Sequence, residues 1–294
     1  MRFDVVTILP DMFEAVSRHG VCGRAHERGI WSLQAWNPRD FAVGNYRSID
    51  DRPFGGGPGM VMTPEPLARA LDAIELAQRA APTAVPPAPE PAPAPAPVIY
   101  LSPQGRPAAH EDVLRWSRLP AITLLCGRYE GVDQRLLDAR VHEQVAVGDF
   151  VVSGGELPAM MLIDAIVRWL PGTLNDAQSS AQDSFAQGLL DCPHYTRPEV
   201  FEGRAVPAVL LSGHHADIAR WRRERALQAT LGCRPGLIEQ ARARGLLTRE
   251  DEAVLREPRA AAPDAATAIK HRPGGLDAEA HRPVGGRTDA TGPT

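Results

Sequence analysis

Residues 121–131 read Ala-Ile-Thr-Leu-Leu-Cys-Gly-Arg-Tyr-Glu-Gly. The first six, Ala121–Cys126, form an apolar run bounded by Pro120 and Gly127, the pattern of a buried strand. In open α/β sheets ligands sit beyond the carboxyl ends of the strands. The Gly127-Arg128-Tyr129-Glu130-Gly131 turn is therefore a candidate ligand loop. Two further stretches share this character. One is the strand end Tyr100-Leu101-Ser102-Pro103-Gln104-Gly105. The other is Val147-Gly148-Asp149-Phe150-Val151-Val152-Ser153-Gly154-Gly155-Glu156-Leu157-Pro158, where the proline falls in the first turn of a helix. Each alone also reads as an ordinary strand–turn. Three glycine-bearing strand ends together point to one cleft for an adenosine-like ligand.

Working outward, the pattern alternates between strands and helices, as in α/β folds. Strands are expected at Phe3–Leu9, Trp31–Trp36, Val98–Leu101, Ala121–Cys126 and Val145–Val152. Helices are expected at Asp11–Arg18, Pro66–Arg79 and Glu156–Leu170, the last stopped by Pro171-Gly172. Residues 80–97 carry eight prolines and read as an extended, solvated insertion. Thr173–Gln187 is small and polar, a linker. His214–Leu231 reads as a helix with a basic surface, followed by one or two more helices to about Leu255. The segment 257–294 is poor in large apolar residues and reads as disordered. The expected organisation is an α/β domain over 1–172, a linker over 173–190, a small, mostly helical domain over 191–256, and the tail.

Composition excludes several functions. The chain has 294 residues, of which 44% are hydrophobic, enough for a sizeable core. Its only lysine is Lys270, so Walker A ATPases, kinases with a strand lysine and Schiff-base enzymes are ruled out. Cys22, Cys126, Cys192 and Cys233 form no C-x-x-C pair, against zinc ribbons and thioredoxin-type sites. A Rossmann dehydrogenase would need G-x-G-x-x-G after the first strand, where Leu9 leads instead to Pro10-Asp11. No run reaches the ~18 apolar residues of a membrane span, and the N-terminus carries no secretory signal; a cytoplasmic protein is expected. Net charge is −4, which leaves room for a local basic face. Over Arg197–Arg234 there are seven arginines against four acids, and Arg220, Arg222 and Arg223 cluster there. This segment reads either as a solvated helix face or as an RNA-phosphate surface. On pattern alone, the glycine-rich Gly55–Gly59 is either a flexible loop or a close ligand approach. Likewise, Asp183 reads as a solvated linker acid and Arg168 as a helix-end residue.

The strings DRPFGGGPGM, YLSPQG, LCGRYEGVD, VGDFVVSGGELPAM, DSFAQGLLDCPHYTRPE and VPAVLLSGHHADIARWR occur in that order. Together they closely resemble the bacterial tRNA (guanine-N1)-methyltransferases, trefoil-knot (SPOUT) enzymes that use S-adenosylmethionine. The resemblance spans residues from about 1 to 235. It departs from the family pattern at Val147, Phe150, Val152 and His214. It implies an α/β, parallel-sheet domain tied in a trefoil knot, plus a small helical C-terminal domain. The implied reaction methylates N1 of the guanosine 3′ of the anticodon in tRNA. Asp183 would be the base and Arg168 the stabiliser of substrate charge. Cofactor contacts carry over to Tyr100, Leu101, Gly127, Glu130, Val147, Gly148, Asp149, Phe150, Val151, Val152, Gly154, Gly155 and Pro158. RNA contacts carry over to Asp50, Arg52, Gly57, Gly59 and His194, beside Arg220, Arg222 and Arg223. The resemblance further implies magnesium dependence, with no ion position given, and a homodimer in which Asp183 of one subunit closes over the cofactor of the other. The alternative is a related knotted methyltransferase acting on another RNA or on a ribose 2′-OH.

Overall fold

The computed structural model describes residues 1–80, 96–174 and 182–256. Most of the proline-rich insertion, part of the linker and the whole tail lie outside the described residues.

Five parallel strands form the central sheet in the order β2-β1-β6-β5-β7. They are β1 (Arg2–Val6), β2 (Ser32–Trp36), β5 (Val98–Pro107), β6 (Ala121–Cys126) and β7 (Glu143–Ala146). Strand periodicity sends alternate side chains to opposite faces, and two cores result. Phe3, Val5, Ile122, Leu124, Ile99 and Leu101 pack on one face under α6 (Glu156–Val167). Val6, Leu125 and Tyr100 pack on the other under α3 (Pro64–Ala80) and α5 (Gln134–Arg140). Asp4 is the polar exception, fully buried in β1. Its carboxylate accepts from Arg2 Nη2, Trp36 Nε1 and Gln78 Nε2, each at 2.8 Å, so the buried charge is satisfied.

Several elements differ from the sequence expectation. The first helix is a 3-10 turn, Pro10–Phe13, running into α1 (Glu14–Ser17). The apolar helix ends at Val167 and is capped by Arg168. Among the described residues, four α-helices lie outside the sequence expectation: α2 (Gly20–Glu27), α4 (His110–Trp116), α5 and the short Ala208–Leu211. The expected strand Val145–Val152 is the main correction. β7 stops at Ala146, because its only partner is β5, and that ladder runs out at Pro107–Ala146. Residues 147–155 instead form a loop over the sheet's carboxyl edge. β5 continues past Leu101, with a register shift before Arg106. Arg106 donates to both Asp112 oxygens at 2.6 Å and to Glu143 at 2.9 Å, and Arg115 joins the same two acids, tying α4 to the sheet edge.

A small hairpin, β3 (Asp50–Asp51) with β4 (Val61–Met62), stands beside the sheet. A second, β8 (Val200–Phe201) with β9 (Arg204–Ala205), precedes the C-terminal helices. These are α7 (Ala208–Leu211), α8 (His215–Cys233), α9 (Pro235–Ala243) and α10 (Arg249–Arg256). They share their own core of Leu189, Leu227, Ile238 and Ala241. Thr230 joins the incoming chain to α8: its hydroxyl donates to the Ala226 carbonyl at 2.6 Å and accepts from the Leu190 N–H at 2.9 Å. Among the described residues no helix is long and apolar enough to cross a membrane.

Candidate active site

The three glycine-bearing strand ends meet. Tyr100–Gln104, Gly127–Val132 and the 145–155 loop line one cleft of about 390 Å³ at the carboxyl edge of the sheet. That volume suits a nucleoside-sized ligand. Of the residues expected around the cofactor, Tyr100, Leu101, Gly127, Glu130, Val147, Gly148, Phe150, Val151, Val152, Gly154, Gly155 and Pro158 line it. Asp149 does not; its side chain is exposed at the top of the loop.

Close backbone approach explains the glycines. A Cβ on Gly155 would stand 2.7 Å from the Cα of Cys126, and the Gly155 N–H donates to the Gly127 carbonyl at 2.9 Å. The 147–155 loop thus seats directly on the end of β6. A Cβ on Gly127 would run into the ring of Tyr100 at 2.8 Å. Burial pushes the Tyr100 phenol up, opposed by the nearby Val132 backbone and Ser102 hydroxyl. It stays neutral at physiological pH.

Behind the cleft wall, Arg128 meets a buried group that the motifs alone do not pair with it. Glu156, the first residue of α6, is fully buried. Its carboxylate accepts from Arg128 Nε at 2.9 Å and from the Thr7 hydroxyl at 2.9 Å. Arg128 also donates from Nη1 to the Ser153 carbonyl at 3.3 Å. One guanidinium therefore joins two walls of the cleft to the end of β1. The sequence signal was present, as both residues lie inside the quoted motifs, but pairing over 28 positions is not periodic and leaves no local trace. Tyr129, next in the chain, has φ of 60°, in the left-handed region that costs a non-glycine residue energy and clusters at functional sites. Burial, and then the nearby Asp50 carboxylate, raise its pKa.

Asp183 and Arg168 lie elsewhere. They form an ion pair with each other, both partly exposed, and neither lines the cleft of their own chain. His110 stands near Asp183, its ring edge-on to Trp169 at 5.1 Å and its Nε2 buried without a partner. Burial lowers its pKa, so it is neutral near pH 7.

The expected RNA residues fall in two groups. Asp50, Arg52, Gly57 and Gly59 belong to the β3–β4 hairpin, where Gly59 lies against the Glu130 side chain. Arg220, Arg222 and Arg223 lie on α8 and differ in freedom. Arg223 is bound bidentately to the buried Asp251 at 3.0 and 2.8 Å and holds α10 against α8. Arg220 pairs with Asp217 at 2.7 Å on the surface. Arg222 is exposed and makes no ion pair among the described residues. His194 bonds Asp191 at 2.9 Å. Asp191, Cys192 and His194 bring their donor atoms within 4.8 Å of one another, the one such grouping among the described residues. A buried thiol whose pKa is raised by burial suits magnesium poorly, since that ion takes oxygen ligands.

A parallel sheet with a glycine-lined cleft at the carboxyl ends of its strands, followed by a helical unit, defines an α/β protein with a ligand cleft in the position such folds use. Comparison with known proteins narrows this. A family described as tRNA (Guanine-1)-methyltransferase TrmD matches residues 1–240. Proteins named tRNA (guanine-N(1)-)-methyltransferase are similar along nearly the whole chain. That of Ralstonia nicotianae is 56% identical over 255 residues, covering 87% of this chain and 92% of its own. Those of Cupriavidus taiwanensis and Burkholderia mallei are each 56% identical, with 87% of this chain covered and 95% and 93% of theirs. The chain belongs to the tRNA (guanine-1)-methyltransferase family.

Proposed function

We propose that this protein methylates N1 of the guanosine just 3′ of the anticodon in tRNA, using S-adenosylmethionine. The observation that carries the reading is the meeting of three glycine-bearing strand ends in one cleft, within a chain of this family. The residues present suit the cofactor: aromatic and aliphatic walls, a backbone cradle no side chain could share, and a volume of the right order. Bound there, S-adenosylmethionine supplies an electrophilic methyl on a sulfonium.

The protein's own task is to make guanine N1 nucleophilic. Neutral guanine presents an N1–H donor beside an O6 acceptor. The Asp183 carboxylate accepts the N1 proton, leaving on N1 an electron pair that would take the methyl carbon as the carbon–sulfur bond breaks and its electrons return to sulfur. Negative charge that develops on O6 is stabilised by the Arg168 guanidinium. An acceptor and a cation side by side, as the Asp183–Arg168 pair stands here, match that edge of the base.

Because neither residue lines the cleft of its own chain, the reading includes a homodimer in which Asp183 of one subunit closes over the other's cleft. The exposed apolar side chains of Phe150, Val151, Leu157 and Met161, on the cleft loop and on α6, support such a face. The reading also includes the trefoil-knotted threading of the sheet, the division at 172 and 191, a cytoplasmic location and magnesium dependence. Glu130, the only carboxylate lining the cleft, is the group offered to that ion. Mass analysis of nucleosides from tRNA treated with the protein and S-adenosylmethionine tests the reaction. N1-methylguanosine is expected; 2′-O-methylated nucleosides in its place would overturn the base-methylation reading.

A further inference from the structure

The β3–β4 hairpin is fixed to the cleft at its base. The Glu130 N–H donates to the Met60 carbonyl at 2.9 Å, the Met62 N–H to the Gly131 carbonyl at 2.9 Å, and the Asp133 N–H to the Met62 carbonyl at 3.1 Å. Met62 is fully buried, and its sulfur accepts from the Arg128 N–H at 3.3 Å. A hairpin held this way cannot drift from the cleft without breaking backbone bonds.

Its tip is built to project. Gly55, Gly56, Gly57 and Gly59 have φ of 87, 78, 118 and 82°, a run that only glycine adopts without strain. The Gly56 N–H closes a turn onto the Pro53 carbonyl at 3.2 Å. Phe54, inside that turn, is 99% exposed. A phenyl ring held wholly in water on an anchored turn forgoes the burial that normally places phenylalanine in a core. Beside it Arg52 makes no ion pair among the described residues. The Arg39 guanidinium lies near the Tyr129 side chain at the cleft, and so on the same side of the molecule. Of the acids nearby, Asp50 lies near the Tyr129 side chain and Asp51 accepts from the Arg52 N–H at 2.7 Å. A bare aromatic face with a guanidinium close by in the same turn is how single-stranded nucleic acid is held: bases stack on the ring, and phosphates meet the cation.

We propose that Phe54 is a stacking platform for an unpaired base of the RNA substrate, adjacent to the guanine that enters the cleft. The inference rests on the proposed function for its choice of partner, but it assigns a residue outside the RNA contacts carried over by resemblance. It also commits to stacking rather than charge as the source of affinity.

The test measures binding of a dye-labelled anticodon stem-loop by wild-type protein and by Phe54→Ala, Phe54→Leu and Phe54→Trp variants. Full exposure of the ring means that none of these should lower the melting temperature. Phe54→Ala and Phe54→Leu are expected to weaken RNA binding about tenfold to a hundredfold, the usual scale for losing one stacked base. Phe54→Trp should keep wild-type affinity. The salt dependence of binding, the affinity for S-adenosylmethionine and the sedimentation behaviour should not change. Wild-type affinity in Phe54→Leu would overturn the proposal, since leucine is apolar but cannot stack. A shift to a smaller sedimenting species would overturn it in favour of a contact between copies. Nucleoside analysis of the wild-type product keeps the two readings apart. If N1-methylguanosine forms while Phe54→Ala binds normally, only the platform fails; if no N1-methylguanosine forms, the proposed reaction fails.

Discussion

The cleft and the Asp183–Arg168 pair belong to one chain but are built in opposite ways. The cleft is made of backbone brought into contact: Gly155 against Cys126, Gly127 against Tyr100, and a buried glutamate and arginine joining its walls. The pair is two partly exposed side chains, one at a helix end and one after a polar segment. The first can be completed only inside a folded chain. The second is free to serve a cleft that is not its own. On the proposed reading, binding and chemistry are therefore separable.

The strongest test of that separation uses two inactive variants. Asp183→Asn should lower the methylation rate by about 10²–10⁴-fold, the scale of general-base loss, with S-adenosylmethionine affinity nearly unchanged. Gly155→Trp should lose cofactor binding, because its side chain would have to occupy the space of Cys126 and Gly127. When the two are co-expressed, a heterodimer with shared sites has one site carrying both defects and one carrying neither. Activity should return, up to about half of wild-type per heterodimer if the sites work independently. No recovery, with heterodimer shown to be present, would place Asp183 in its own chain's site and end the contrast.

A second test addresses the cleft alone. Glu156→Gln leaves the Arg128 charge without its buried counter-ion, and breaking such a pair destabilises by about 3 kcal/mol. Urea unfolding should show this loss, together with weaker S-adenosylmethionine binding because Ser153 loses its fixed donor. Unchanged cofactor affinity in the folded variant would reduce Glu156 to a purely structural residue.

The α4 network offers a smaller, pH-dependent effect away from both regions. Paired chiefly with Arg106, the Asp112 carboxyl is held down to about 2. Its folded value lies below its unfolded one, so its contribution is fully present above pH 4 and is lost as pH falls towards 2. Melting curves should show Asp112→Asn about 1–2 kcal/mol less stable than wild-type at pH 6, the gap closing by pH 2. A constant gap would mean that shape rather than charge is lost.

The smallest effect is expected at Arg222. Arg222→Ala should weaken tRNA binding severalfold and reduce its salt slope by about one, while Arg223→Ala should act mainly by unfolding α10 from α8. Equal salt slopes in wild-type and Arg222→Ala would make that helix face merely solvated.

The sheet was legible in the sequence where burial is two-sided. Phe3–Val6 and Ala121–Cys126 lie in strands as expected because short, mostly apolar runs with β-branched residues bury on both faces of a parallel sheet. α6 was legible as a strongly apolar run stopped by Pro171-Gly172. Short helices such as Gly20–Glu27, with two glycines and a mixed surface, carry no such signal and are set by packing against α6. Val147–Val152 misled because valine and phenylalanine favour strands wherever a ladder exists. Only the missing neighbour beyond Ala146 turned that stretch into a loop.

For the site, the sequence by itself determined the chemistry on offer: glycines where backbone must touch, an acid and a cation in a family-specific order, and a single lysine, Lys270, outside every motif. Local composition carries this because each residue's capacity is intrinsic to it. Only the tertiary structure decided which groups meet. It joined Arg128 to Glu156 and Thr7 across the chain and withdrew Arg223 into a buried pair. It also set Asp183 against Arg168 outside the cleft and left Phe54 bare beside it. Those outcomes depend on long-range contacts whose energy comes from excluding water and pairing buried charge. Neighbouring residues along the chain do not encode them.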